Sequence, residues 1–136
     1  MKLNERSEKN LFGVHPQLVR IVRLAADMAP DDKGFVVTEG LRTLERQKEL
    51  LATGKSQTLK SRHLTGHAVD LAVWYDKDLD KVLDADEISW KFPDYKALSE
   101  VVKAAAEQLG IPIEWGGDWV SFKDGPHFQL PFASYP

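Results

Sequence analysis

Apolar residues recur along this chain at helical spacing in some stretches and in short unbroken runs in others. After His15-Pro16, the residues Leu18, Val22, Ala25 and Ala29 share one stripe, which predicts a helix starting at Pro16 with one face for a core. Arg20 and Arg23 fall mostly off that stripe, and Pro30 with Asp31-Asp32-Lys33-Gly34 ends it. Phe35-Val36-Val37-Thr38 is β-branched and lies between Gly34 and Gly40, so it reads as a strand. Thr43 can cap a second helix over Leu44 to Thr53, with Glu45 in its first turn and Gly54 beyond its end. Lys55 to Arg62 reads as a polar, basic loop, Ala68 to Tyr75 as a buried strand, and Asp76 to Glu87 as an acidic loop.

Asp94 can cap a third helix whose buried face is Leu98, Val101, Val102, Ala105 and Leu109, with Gly110 as its stop. Ile111 to Trp115 reads as a strand and Gly116 to Trp119 as a turn. Val120 to Phe122 and His127 to Leu130 are expected to pair as a closing hairpin. This order predicts an α+β fold in which a small antiparallel sheet packs against about three helices.

Composition narrows the function classes. A chain of 136 residues is expected to form one domain over 1–136, with no separate cell-wall-binding domain, and can bury a core without cross-links. A net charge of −3 argues against a nucleic-acid role, since duplex binders carry a basic surplus. With no cysteine, a transition metal must use His, Asp or Glu. The polar start Met1 to Arg6 lacks the apolar stretch of a secretory signal, and no apolar run is long enough to span a bilayer. The expectation is a protein made and kept in the cytoplasm until something else releases it, with no stable membrane association.

Chemistry concentrates in two strings, Ser61-Arg62-His63-Leu64-Thr65-Gly66-His67-Ala68-Val69-Asp70-Leu71 and Asp124-Gly125-Pro126-His127-Phe128. Two imidazoles and a carboxylate (His63, Asp70, His127) suit a catalytic zinc, because three protein ligands leave a fourth tetrahedral position open. Asp124 is a candidate base beside them. On spacing alone, a surface loop with a solvated His and Asp is the commoner origin of the first string. The second string, with Gly66 as a hinge, strengthens the metal reading. His67 follows His63 at the helical metal spacing, but Gly66 and Val69 oppose a helix there, and no glutamate follows the first His. His67 is therefore read as a neighbour touching substrate or solvent, and His15 as a helix-start residue.

Taken together, Ser61-x-His63-x-x-Gly66-x-Ala68-x-Asp70-Leu71 and Asp124-x-x-His127 resemble the signature of the M15 metallopeptidases. Glu39-Gly40-Leu41-Arg42-Thr43 fits the Arg-Ser or Arg-Thr step that such enzymes carry after an early strand. Within that family the chain is similar to the short phage endolysins of the T5 type, over nearly its whole length, including Ser7 to Leu11 and Gly117-Asp118-Trp119. The resemblance implies the zinc peptidase fold shared with D-Ala-D-Ala carboxypeptidases and hedgehog domains. It implies one zinc ion on His63, Asp70 and His127, Asp124 as acid/base where many relatives have Glu, and Arg42 on the developing oxyanion. Gln47 and Ser61 are expected to support the ligands or touch substrate, and Asp118 and Trp119 to line the cleft, although Trp119 reads equally well as core.

The implied activity is hydrolysis of the L-Ala-D-Glu bond in peptidoglycan stem peptides during host cell lysis, by a monomer released through a separate holin-type protein. The rivals are a D-Ala-D-Ala dipeptidase, a D,D-carboxypeptidase and, outside enzymes, a zinc-containing binding module. The acidic loop offers a second metal test. Asp76, Asp78, Asp80, Asp84 and Glu87 match positions 1, 3, 5, 9 and 12 of a calcium loop, but Lys81 stands where glycine belongs. The default there is a solvated acidic loop.

Overall fold

The computed structural model describes residues 1–56, 58, 60–80 and 82–136. Its helices are α1 (Glu5–Asn10), α2 (Pro16–Met28), α3 (Leu44–Ala52) and α4 (Phe92–Leu109). Its strands are β1 (Lys33–Glu39), β2 (Ala68–Tyr75), β3 (Ile88–Ser89), β4 (Glu114–Trp115) and β5 (His127–Gln129). The sheet runs β1-β2-β5-β4, with β3 also pairing β2, and every pairing is antiparallel. The α+β architecture expected from the sequence is present.

The period-two geometry of β2 divides its side chains between two faces. Val69, Leu71 and Val73 join Phe35, Val37 and Phe128 in the core with Leu18, Ile21, Val22 and Ala25 of α2 and Leu98, Val102 and Ala105 of α4. The alternate residues Ala68, Asp70, Ala72 and Trp74 face the other way. Local signals set the helix ends. The His15 ring accepts from Gln17 N at 3.1 Å with Pro16 opening α2, and Thr43 Oγ1 accepts from Arg46 N at 3.1 Å to start α3. Gly110, left-handed at φ 68°, closes α4.

Four sequence expectations change. The short helix α1 makes a fourth helix. It has little apolar periodicity and is held by Asn4 capping Ser7 N at 2.8 Å and by Ser7 Oγ accepting from Val37 N at 2.9 Å. Helix α4 starts before Asp94, at Phe92, with Pro93 in its first turn; Asp94 instead accepts from Tyr75 Oη at 2.9 Å and Ser89 Oγ at 2.5 Å. The strand expected over Ile111 to Trp115 is confined to Glu114–Trp115. The closing hairpin is absent: β5 lies between β2 and β4, while Val120 and Phe122 are 99% and 71% exposed and Phe122 has φ 54°. A left-handed residue cannot continue a strand. The basic loop contains Gln57 and Leu59, and the acidic loop Lys81, which lie outside the described residues.

Gly66 has φ +75°, and a Cβ built there would stand 2.4 Å from the Gly13 carbonyl oxygen. Gly54 has the same φ and nothing within 4 Å. Gly66→Ala is expected to lose about 1–3 kcal/mol more stability than Gly54→Ala, since only the first adds a backbone clash to left-handed strain. Thermal denaturation of the two variants measures the difference; equal falls in Tm would refute the close-packing argument.

Candidate active site

Strand pairing builds the floor of the site. Asp70 of β2 stands directly opposite His127 of β5, on the face away from the helical core. On its other side Asp70 meets Glu39, because β1 carries a bulge between Val37 and Glu39. Such a bulge re-aims the strand end, here towards the site. His63 arrives from a 3₁₀ turn, Arg62–Thr65, whose start is capped by Ser61 Oγ accepting from His63 N at 3.2 Å. His63 Nε2 lies 3.2 Å and His127 Nδ1 3.4 Å from the same oxygen, Asp70 Oδ1. The two rings stand edge to face with centroids 5.1 Å apart.

The donor set fits one metal ion. Ligand atoms of His63, Asp70 and His127 all lie within 4.8 Å of one another. Each ring also has an acceptor for its far nitrogen: Gly40 O at 2.8 Å from His63 Nδ1, and Gln129 Oε1 at 2.7 Å from His127 Nε2. Metal-ligating imidazoles are generally anchored in this way. Burial alone would raise the Asp70 pKa, but hydrogen bonds from His127 and His63, with their positive charge, hold it well below the usual carboxylate range. Burial likewise lowers His127, and the contacts with Asp70 and Gln129 more than reverse it, so its pKa is raised.

Around this floor opens a cleft of about 700 Å³, lined by Arg42, Ser61, Trp119 and Asp124 among others. The Arg42 side chain is only 8% exposed. It donates from Nε and Nη2 to the two Glu39 oxygens at 2.7 and 2.9 Å, and from Nη1 to Gln47 Oε1 at 2.6 Å. Its Nη2 lies 3.7 Å from Asp70 Oδ2. Gln47 is fully buried and fixed in turn by Ser56 Oγ at 2.8 Å and Thr58 O at 2.5 Å, so it orients Arg42 and is not among the cleft-lining residues. The Asp124 pKa is raised by burial and by the Asp70 charge, against the opposing pull of His127, His63 and Arg42. The Trp119 ring lies 5.1 Å from that of His127.

Two more candidates besides Gln47 fall outside the cleft. His67 accepts from or donates to Thr65 Oγ1 at 2.6 Å, with its ring 5.3 Å from His15. Asp118 forms an ion pair with Lys103 at 2.7 Å. Glu39, Gln129 and Glu114 were missed by sequence reasoning. Gln129 alone had a signal, two residues beyond His127 on the same strand. In the acidic loop, Asp76, Asp78, Asp80 and Glu87 bring carboxylate oxygens within 4.8 Å of one another, without Asp84, which caps the 3₁₀ turn Ala85–Glu87.

A family described as phage L-alanyl-D-glutamate peptidase matches residues 1–130. The chain belongs to this family. It is 33% identical over 137 residues to the L-alanyl-D-glutamate peptidase of Escherichia phage T5, across 98% of this chain and 92% of that protein. It is 34% identical over 131 residues to the peptidoglycan L-alanyl-D-glutamate endopeptidase CwlK of Bacillus subtilis, across 86% of this chain and 73% of that one. Among solved structures, the L-Ala D-Glu endopeptidase ChiX of Serratia marcescens superposes with a TM-score of 0.85 at 47% identity, covering 100% of this chain and 94% of that one. The family match spans both strings that carry the candidate ligands, residues 61–71 and 124–128.

His63→Ala is expected to abolish stoichiometric metal uptake, as elemental analysis after zinc loading and gel filtration would show. Retention of one zinc per chain in that variant would remove His63 from the ligand set.

Proposed function

We propose that this chain hydrolyses the amide between L-Ala and D-Glu in peptidoglycan stem peptides, as a zinc peptidase of phage-type host cell lysis. The observation that carries the reading is a His-Asp-His donor set with both rings buried on the floor of a cleft, with a carboxyl of raised pKa and a fixed guanidinium on its walls. His63, Asp70 and His127 would hold the ion, which when bound supplies Lewis acidity at the scissile carbonyl. An N/N/O set favours zinc.

The protein's own groups do the rest. Asp124 takes a proton from the attacking water on a carboxylate oxygen and passes it to the amide nitrogen as the bond breaks. A raised pKa suits both transfers. Arg42 faces the carbonyl oxygen as charge develops there, and Glu39 and Gln47 spare it reorientation during the reaction.

The rim supports an anionic substrate. Lys55, Lys60 and Lys123 line the cleft, and among the described residues none has a carboxylate within 4.0 Å, although the chain as a whole is net negative. A glutamyl residue acylated on nitrogen and extended through one carboxyl keeps the other free to meet such a rim. In this reading one domain over 1–136 acts as a monomer on peptidoglycan. It waits in the host cytoplasm for a separate holin-type protein. Among the described residues no helix is long and apolar enough to cross a membrane.

Zinc-loaded protein added to Gram-negative sacculi is expected to generate new N-terminal D-Glu, detected by mass spectrometry of the muropeptides. Release of free D-Ala would favour the dipeptidase or carboxypeptidase rivals, and zinc binding without any new amine would favour a binding module.

Asp124→Asn is expected to keep zinc but lose turnover by about 10²–10⁴-fold, the range for general acid–base groups. At saturating zinc, kcat/KM of the parent should fall as pH drops through the Asp124 pKa, with a midpoint above the ordinary carboxylate range because the group is raised. A rate independent of pH through that window would refute Asp124 as the base.

A further inference from the structure

His63 and His127 present different nitrogens to the metal position, Nε2 from the first and Nδ1 from the second. A neutral imidazole carries one N–H, so the ligating nitrogen is free only when the other holds the hydrogen. For His63 the backbone settles this: Gly40 O, 2.8 Å from Nδ1, can only accept. For His127 the partner is a side-chain amide, Gln129, which can present either its oxygen or its NH₂ group. Turned the wrong way, the amide would donate to Nε2 and drive the hydrogen to Nδ1, the nitrogen that must bind metal.

We propose that Glu114 is a positioning residue that fixes the direction of this amide and, through Gln129, reserves His127 Nδ1 for the metal. Glu114 Oε2 accepts from Gln129 Nε2 at 2.7 Å. An ionised carboxylate only accepts, so the amide nitrogen faces Glu114 and the amide oxygen faces His127. The chain of bonds then runs one way, from His127 Nε2–H to Gln129 and from Gln129 to Glu114. Strand register holds the three residues in line: Glu114 of β4 is directly opposite Gln129 of β5, and Gln129 lies two residues from His127 on the same face. On the other side, Gln129 is opposite Ala68, whose methyl group offers the amide no competing polar partner. Glu114 thus does for a side chain what the peptide plane does for Gly40. Nothing in the local sequence around His63 or His127 encodes this, since Glu114 belongs to a different strand.

The inference rests on His127 being a metal ligand. Its test uses zinc alone, with dissociation constants from competition against a chromogenic chelator, on the whole chain and three variants. Gln129→Leu is expected to weaken zinc by about 10–100-fold, the usual effect of removing such a partner. Glu114→Leu, one step further out, should weaken it by about 3–10-fold. The double exchange Glu114→Gln with Gln129→Glu restores the direction, because Glu at 129 accepts from both His127 and Gln at 114. It should return affinity to within about threefold of the parent, the margin of a re-formed partner.

A second readout is the His127 Nε2 proton of the zinc-loaded, ¹⁵N-His-labelled protein. It is expected as a slowly exchanging downfield resonance in the parent and the double exchange, and lost in Gln129→Leu. Unchanged zinc affinity in Glu114→Leu would overturn the proposal. So would a double exchange that binds as weakly as the leucine variants, since that is the signature of a packing role. A parent chain that takes up no zinc would overturn the metal reading itself, and this one with it.

Discussion

The pairing of β2 with β5 is the constraint on which the site depends. It sets Asp70 opposite His127 while Val69, Leu71 and Phe128 turn into the core with no exposed surface. Strand side chains alternate with a period of two, so a slip of one residue would exchange the faces. Valine and leucine would then line the cleft, and the aspartate would enter an apolar core without partners, at a cost of several kcal/mol. Apolar burial on one face therefore fixes the geometry of the candidate ligands on the other. The same register supplies the second layer, because Gln129 and Glu114 also stand on the ligand face.

Two of the carboxyl groups at this site, Asp70 and Asp124, are driven in opposite directions. Asp70 is half-buried and receives two imidazole contacts on a single oxygen, which keeps it ionised and fit to ligate. Asp124 is also shielded, receives no such contact, and feels the charge of Asp70, so its proton is held more tightly. In the proposed mechanism a pair of acids separated by environment in this manner divides into an electrostatic partner and a proton carrier. The split needs no special property of either residue. It follows from which of them sits across from a histidine.

Much of this was legible in the chain. Strand β2 falls where the apolar run from Ala68 to Tyr75, interrupted by Asp70, put it, and α2 and α3 begin at the residues whose capping chemistry marks them. The two strings carrying His63, Asp70, Asp124 and His127 converge as their chemistry suggested. The departures share a cause. Helix α1 is held by capping and by contacts to β1 more than by an apolar stripe, and periodicity is blind to such contacts. Val120 and Phe122 have strand-like side chains, yet nothing in their identity reveals that no neighbouring strand awaits them. Gln47, expected to support a ligand or touch substrate, is buried in α3 and accepts a hydrogen bond from Arg42.

The second layer of a metal site is harder to read than the first for a physical reason. A ligand must offer a particular atom type, so only His, Asp, Glu and Cys qualify, and with four histidines in 136 residues their spacing is conspicuous. A partner to the ligand's far nitrogen need only accept a hydrogen bond, which every backbone carbonyl and many side chains can do. At His63 the partner is a carbonyl, invisible in sequence because every residue has one. At His127 it is a glutamine whose useful face is decided by a carboxylate fifteen residues earlier in the chain. Sequence therefore announces the atoms that could hold a metal, while strand register decides whether those atoms are left free to do so.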